Sequence, residues 1–68
     1  MRYKEGDTIR VKGRFGSTWE KLGRVNKWVI DHIKTQKKGY PSLYVCYCTD
    51  DKHGMLYQFL EKEVEKCD

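Results

Sequence analysis

The sequence predicts a small antiparallel all-β barrel in one domain, residues 1–68, and three observations carry this prediction. Residues 43–49 form the longest run of β-branched, aromatic and small apolar residues, which indicates a central strand buried on both faces. Residues 8–12 alternate between polar and apolar, as in a strand with one face on a core. No segment predicts a helix with comparable strength, so we expect four or five short strands.

Composition limits what a chain of 68 residues can build. A domain of about 60 residues buries only about 60% of the surface of its unfolded chain, so its core is thin. Because 35% of the residues are charged, few apolar residues remain to enclose a substrate cavity. We therefore expect neither an enzyme nor a small-molecule substrate.

Features of the chain that report on compartment predict a cytoplasmic protein. The first seven residues lack the apolar segment of a signal peptide. No apolar run approaches the roughly 20 residues that span a bilayer, which predicts no membrane partner. The three cysteines are an odd number without the spacing of a disulfide framework, which predicts reduced thiols.

The positions of the glycines determine which structure we predict for the two segments that follow the first strand. Residues 13–19 hold two glycines and two aromatic residues, which indicates one long irregular loop. We expect Phe15 or Trp19 to cover one end of the core from this loop. Residues 20–26 predict the second strand, with a bend at Gly23.

Residues 27–34 fit both a helix and a strand. Their apolar positions are compatible with helical spacing, while Trp28, Ile30 and His32 alternate as in a strand. The β-branched content favours the strand. A bulge at Asn26-Lys27 is expected to supply the sharp bend that a small barrel requires.

The last third of the chain predicts a hairpin and a closing strand. Residues 50–54 are turn formers, and Met55, Tyr57 and Phe59 share one face of the strand that returns. Residues 60–65 predict a short 3-10 turn followed by a short strand.

Three segments resemble SH3-like barrels. Residues 3–11 resemble their opening, in which a Gly-Asp turn precedes a strand with a polar, apolar, basic and valine pattern. Gly23-Arg24-Val25 resembles the step that opens their second strand and that KOW-type modules share. Residues 57–65 are similar to their closing pattern of aromatic strand, short turn and acidic-apolar-acidic segment. The resemblance implies a stand-alone SH3-like barrel of the kind common among bacteriophage and prophage genes, and it leaves function open.

A basic set with interleaved aromatic residues is the strongest functional feature. Residues 1–38 hold eleven Lys or Arg against four acidic residues, within a net charge of +4 for the whole chain. Arg10 and Lys12 share the outer face of the first strand, and antiparallel pairing is expected to bring Lys21 or Arg24 alongside. Such a surface suits a nucleic-acid backbone with stacked bases. The candidate binding residues are Arg10, Lys12, Arg14, Trp19, Lys21, Arg24, Lys27 and Tyr44.

Other interpretations of this set stay open. The cations also fit a solvated face that keeps an edge strand from aggregating. The aromatic residues also fit contact with a protein, although Trp28 and Tyr57 are expected in the core. The alternative function is thus a phage-encoded module that modulates or inhibits a host protein or defence complex. A structural phage component is the third.

Cysteine and histidine positions predict neither a metal site nor catalysis. Cys46 and Cys48 are separated by one residue on a strand, so their thiols do not enclose a metal, whereas structural zinc sites use cysteines about two to four residues apart in a turn. A catalytic cysteine paired with His32 or His53 lacks a third group to orient it. We therefore expect no metal, no cofactor and no catalytic residue.

Overall fold

The computed structural model describes residues 2–67, which form five antiparallel strands, one α-helix and one 3-10 turn. The strands lie in a single sheet with the order β4-β3-β2-β1-β5. The predicted predominance of β structure is confirmed. In chain order, the elements are β1 (Thr8–Val11), α1 (Gly13–Lys21), β2 (Trp28–Lys34), β3 (Leu43–Cys48), β4 (Tyr57–Leu60), the 3-10 turn (Glu61–Glu63) and β5 (Val64–Lys66).

β3 is an internal strand, as the apolar run predicts. It pairs with β2 on one side and with β4 on the other. Tyr44, Cys46 and Cys48 point into the core, and Val45 on the opposite face is buried as well. A strand that is apolar on both faces therefore occupies a position with a neighbour on each side.

β2 is a strand, which the β-branched content favours. Its register on β3 shifts between Ile30 and His32, which makes Asp31 the extra residue of a β-bulge. A bulge changes which face the following side chains take. The core-facing residues of β2 are therefore Trp28, Ile30 and Ile33. Because the bulge interrupts the alternation of inward and outward side chains, the apolar positions of residues 27–34 also fit the spacing of a helix.

Residues 13–26 differ most from the prediction. α1 replaces the predicted loop, and residues 22–27 lie outside any strand, so the predictions of a strand over 20–26 and of a bulge at Asn26-Lys27 are wrong. Two glycines lower the helix propensity of this segment. The helix is instead stabilised by tertiary packing, because Phe15 and Trp19 sit against the sheet.

A cluster of five aromatic rings fills the core beneath α1. Phe15 and Trp19 of α1 meet Trp28 of β2 and both Tyr57 and Phe59 of β4, with neighbouring ring centroids 5.0–6.4 Å apart. Most pairs are tilted or edge-to-face, a geometry worth about 0.5–1.5 kcal/mol beyond area burial. The predictions that Phe15 or Trp19 covers one end of the core and that Trp28 belongs to it are confirmed, and Tyr57 is half-buried and packs against the core.

β4 is shorter than predicted. It begins at Tyr57, and Met55 is exposed rather than on the core face. In the loop before β4, Asp50 accepts hydrogen bonds from Arg24 and from the backbone N–H of Val25.

The two edge strands, β4 and β5, follow one another in the chain and are joined by the 3-10 turn. A flat sheet of five strands separates its edges by about 19 Å, at about 4.8 Å per strand. The four peptide steps from Leu60 to Val64 span at most about 14 Å. The sheet is therefore curled. No helix within residues 2–67 has the length and apolar character needed to cross a membrane.

Candidate nucleic-acid interface

The structure places the eight candidate residues in three environments. Two aromatic residues are buried, two arginines form ion pairs, and four cations are exposed with no ion pair to any residue from 2 to 67. These groups are, respectively, Trp19 and Tyr44; Arg10 and Arg24; and Lys12, Arg14, Lys21 and Lys27. The three environments give the residues different capacities to bind a partner.

The two aromatic candidates belong to the core, which corrects their assignment to a binding surface. Tyr44 is fully buried, and its hydroxyl accepts a hydrogen bond from the backbone N–H of Tyr3 at 3.1 Å. Burial raises the pKa of this hydroxyl. Trp19 is 8% exposed and donates its indole N–H to the carbonyl of Val25 at 3.0 Å. Neither ring offers a free face to a base or a peptide.

Arg10 is flanked by acidic residues and not by the predicted Lys21 or Arg24. Its Nη1 donates to Glu65 Oε1 at 2.6 Å, and its Nη2 donates to Glu20 Oε2 at 2.9 Å. The pKa of Arg10 is raised, mainly by the hydrogen bond with Glu65 and then by the charge of Glu20. Arg10 therefore ties α1 and β5 to β1, and its charge is neutralised within the fold.

Asn26 continues the sheet where β2 has not yet begun. Its Oδ1 accepts from the backbone N–H of Val11 at 3.1 Å, and its Nδ2 donates to the Val11 carbonyl at 2.7 Å. The same amide accepts from the Trp28 indole at 2.9 Å and donates to Glu20 at 2.8 Å. One side chain thus supplies hydrogen-bond partners to the backbone N–H and carbonyl of Val11, on the edge of β1 that faces β2. The sequence predicts a bulge at Asn26, and the local pattern gives no sign that its side chain would bond to the backbone of β1.

Arg24 is held between a carboxylate and a ring. It binds Asp50 through Nε at 3.1 Å and Nη2 at 2.9 Å, in a bidentate geometry. Its guanidinium carbon lies 4.3 Å from the ring centroid of Trp19. The hydrogen bonds from Arg24 are the main cause that lowers the pKa of Asp50. Arg24 therefore fixes the loop after β3 on α1.

The exposed cations on or next to α1 form no ion pair with any residue from 2 to 67. Lys12, Arg14 and Lys62 line one shallow surface depression beside Phe15, together with Gly13 and Glu63. Arg14 and Lys21 are seven residues apart, which places them on one face of α1 about 10 Å apart along its axis. Lys27 precedes β2 and does not line this depression. Three of the candidate cations are therefore grouped on or next to α1.

A second basic surface lies at the opposite end of β2, and none of the eight candidate residues belongs to it. Lys34, Lys37 and Tyr40 line a depression with Thr35 and Gln36. A sequence signal was present, because residues 32–49 contain three lysines and no acidic residue. We call the end of the sheet covered by α1 the helix pole, and residues 34–42 the loop pole.

The cysteines of β3 are buried thiols. Burial raises the pKa of Cys46 to about 12. Cys48 donates its thiol hydrogen to the Val25 carbonyl, with Sγ 3.1 Å from the oxygen, and burial raises its pKa as well. Within residues 2–67, no three His, Cys, Asp or Glu side chains are grouped so that they could hold a metal ion.

Comparisons with protein-family profiles, with curated proteins and with solved structures find no match. Function is therefore inferred from the chemistry of the described surface. That surface offers unpaired cations at both poles and exposed rings beside them. In nucleic-acid-binding proteins, lysine and arginine side chains contact phosphates and aromatic rings stack on bases.

Proposed function

We propose that this protein is a non-enzymatic module that binds nucleic acid, and that α1 contacts the phosphate backbone. The observation that carries the proposal is that some basic residues form ion pairs and others do not. Arg10 and Arg24 are neutralised by carboxylates, whereas the cations on or next to α1 are exposed without an acidic partner among residues 2–67. Unpaired cations attract phosphates and release counterions on binding.

The exposed face of α1 has the composition of a backbone-contacting surface. Ser17 and Thr18 are exposed between Arg14 and Lys21, and hydroxyl groups are common donors to phosphate oxygens. The first turn of α1 contains no acidic residue that would repel a phosphate. Phe15 is 37% exposed beside Lys12 and Arg14, so part of one ring borders the charged surface. These features support contact with phosphates at α1.

The finer fold assignment is part of the same proposal. An SH3-like barrel is supported by the curled sheet and by the 3-10 turn that joins its edge strands. The likeness of residues 3–11 and 57–65 to such barrels supports it too. The KOW-like step Gly23-Arg24-Val25 lends no support, because it lies between α1 and β2. A phage or prophage origin and a cytoplasmic location rest on the sequence alone.

Fluorescence anisotropy of labelled DNA and RNA, titrated at several salt concentrations, tests the proposal. The variant Lys12→Ala/Arg14→Ala/Lys21→Ala removes the exposed cations and leaves the ion pairs of Arg10 and Arg24 in place. We expect it to bind at least about tenfold more weakly at low salt. The slope of log K against log salt should decrease by about 0.7–0.9 for each phosphate that the variant no longer neutralises.

The matched control removes the same charge elsewhere. Lys4, Lys52 and Lys66 are exposed and lie outside α1. The variant Lys4→Ala/Lys52→Ala/Lys66→Ala should keep most of the affinity and the slope. Equal losses in the two variants would show that only net charge matters, and the absence of binding by the wild type would rule out the proposal.

A protein partner is the second candidate function, and exposed apolar residues favour it. Leu22, Val25, Met55 and Leu56 are large and exposed. They belong to the two segments that Arg24 and Asp50 tie together. A protein bound there should dissociate from Leu22→Ser/Met55→Ser and show little dependence on salt. The α1 charge variant should leave such binding intact.

A further inference from the structure

The loop pole is a shaped surface and not a loose connection. The backbone N–H of Tyr40 donates to the Lys37 carbonyl at 3.0 Å, which closes a turn through Gly39 at φ +95°. The side-chain amide of Gln36 donates to the Pro41 carbonyl at 2.7 Å. Pro41 also restricts the backbone of Tyr40 to extended conformations. These constraints fix the backbone at Tyr40, whose side chain lines the depression.

Tyr40 is the most exposed of the nine aromatic residues. Tyr40 is 66% exposed, against 37% for Phe15, and the other seven are buried or half-buried. Within residues 2–67, Tyr40 makes no ring contact, whereas Phe15 packs on the aromatic cluster. A small domain needs its large side chains in the core. A ring held at the surface beside a depression is therefore available to a planar ligand.

The charged residues nearest to Tyr40 in the sequence are lysines, and the nearest acidic residue in the neighbouring depression is Glu61, which lines it with Pro41. Lys34 and Lys37 line the same depression as Tyr40, and Lys38 is exposed on the turn between them and the ring. None of these lysines forms an ion pair with a residue from 2 to 67. No acidic residue occurs from position 32 to position 49. The ligand that complements this surface carries negative charge next to a flat ring.

We propose that the loop pole is a second nucleic-acid site, in which an unpaired base stacks on Tyr40 and the adjacent phosphates contact Lys34, Lys37 and Lys38. Its ligand is single-stranded, because a base inside a duplex has both faces covered by its neighbours. The inference shares its ligand class with the proposed function but uses no residue of α1. The two can therefore fail separately.

The distance between the loop pole and the helix pole determines how long a ligand must be to reach both. Trp28 and Lys34 are the two ends of β2, so the poles are separated by about 20 Å, at about 3.3 Å per residue. A strand long enough to reach both poles binds the second one at high effective concentration. We expect affinity to rise steeply once an oligonucleotide is long enough to reach both.

The experiment compares ring and charge variants of the full chain by anisotropy with labelled oligothymidylates of increasing length. Tyr40→Ala removes the ring, Tyr40→Phe keeps it, and Lys34→Ala/Lys37→Ala/Lys38→Ala removes the charges. We expect Tyr40→Ala to lose about tenfold in affinity, within the range of stacking energies per base, with an unchanged salt slope. We expect the lysine variant to lower the slope by about 0.7 for each phosphate of the single strand that it no longer neutralises. Tyr40→Phe should bind like the wild type.

NMR titrations distinguish the possible ligands. Thymidine monophosphate and a pentathymidylate should both shift the amide signals of residues 34–40, with much tighter binding for the oligonucleotide. Binding of the mononucleotide alone, or equal binding of a polyglutamate peptide, would overturn the inference. Loss of binding in Tyr40→Phe equal to that in Tyr40→Ala would overturn stacking.

The variants test binding at each pole separately. If only the α1 charge variant lowers affinity, the loop-pole inference is wrong and the proposed function stands. If only the loop-pole variants lower affinity, the inference stands and the role proposed for α1 is wrong. Affinity should then show no steep rise with oligonucleotide length, because only one pole binds.

Discussion

The helix pole and the loop pole both carry basic residues, but they use them differently. At the helix pole, Arg10 and Arg24 each bind carboxylates, and Arg24 also covers the ring of Trp19. At the loop pole, the lysines have no acidic neighbour in the sequence from 32 to 49, and Tyr40 is open. One pole combines structural and available cations, and the other has available cations only.

This difference shows that a cation's availability depends on the fold more than on the local sequence. Arg10 meets Glu65, which is 55 residues away in the chain. Arg24 meets Asp50, which is 26 residues away. Neither partner can be assigned from spacing along one strand. The lysines of the loop pole, in contrast, form no ion pair with any residue from 2 to 67, although Glu61 lines a depression with the neighbouring Pro41.

The largest effect is expected at Gly16, where α1 lies against β1. A Cβ at this position would lie 2.0 Å from the Val11 carbonyl oxygen and 3.0 Å from the amide of Asn26. Gly16→Ala should therefore destabilise the protein by about 3 kcal/mol, as overpacking does, although Ala normally favours a helix over Gly. Urea unfolding followed by tryptophan fluorescence measures this difference.

Gly39 at the loop pole supplies the matched control. Its φ is +95°, but nothing lies within 4 Å of an added Cβ. Gly39→Ala should cost only about 1 kcal/mol, from the backbone conformation alone. Similar costs at the two glycines would show that the close approach of α1 to β1 is not a determinant of stability.

The next largest effect is expected at Asn26. Asn26→Ala leaves the N–H and carbonyl of Val11 and the indole N–H of Trp28 without their partner, and Val11 is only 1% exposed. We expect a loss of about 2–3 kcal/mol in the free energy of unfolding, because buried polar groups lose their hydrogen bonds. Chemical denaturation of purified variants measures it.

Gln36→Ala is the corresponding change at the loop pole. Gln36 is exposed, and its amide makes one hydrogen bond, to the Pro41 carbonyl. The expected cost is within about 0.5 kcal/mol, as for ordinary surface substitutions. If Gln36→Ala were as destabilising as Asn26→Ala, the helix pole would not be the more constrained region.

The sequence predicts β1, β3 and β5 well and the segment from α1 to residue 27 poorly, for one physical reason. β1, β3 and the closing turn follow from local alternation and turn chemistry, and the structure confirms them. α1 depends on contacts between distant residues: the aromatic cluster and the close packing at Gly16. Its spacing of Phe15, Trp19 and Leu22 was a helical signal, but the glycines concealed it.

The candidate site shows the same limit. Basic character was readable from composition, and the exposure of Lys12, Arg14, Lys21 and Lys27 agrees with a surface role. The burial of Trp19 and Tyr44 was not readable, because aromatic residues suit both a core and a stacking surface. Tyr40, which precedes a proline in a polar segment, is the aromatic residue that this local context leaves exposed.

The smallest effect on stability is expected from lowering the pH. It should act on the helix pole, which contains paired carboxylates, and not on the loop pole, which contains none. Asp50 has a pKa below its ordinary value, mainly because Arg24 donates to it, so its contribution to stability is complete above about pH 4 and is lost as the pH falls further. The pKa of Glu20 is lowered too, first by the hydrogen bond from Asn26. Between pH 5 and pH 2.5, the wild type should lose more stability than Asp50→Asn, measured as the urea midpoint.

Asp51→Asn is the control, because it removes a neighbouring carboxylate that forms no ion pair within residues 2–67. We expect this variant to keep the acid dependence of the wild type. Because Arg24 covers Trp19, acid should also change tryptophan fluorescence before global unfolding in the wild type and not in Asp50→Asn. Amide exchange of residues 34–42 should stay constant over the same pH range once the intrinsic exchange rate is corrected, because that segment contains no carboxylate. Acid loosening of both poles together would indicate that the Arg24–Asp50 pair holds the whole sheet and not the helix pole alone.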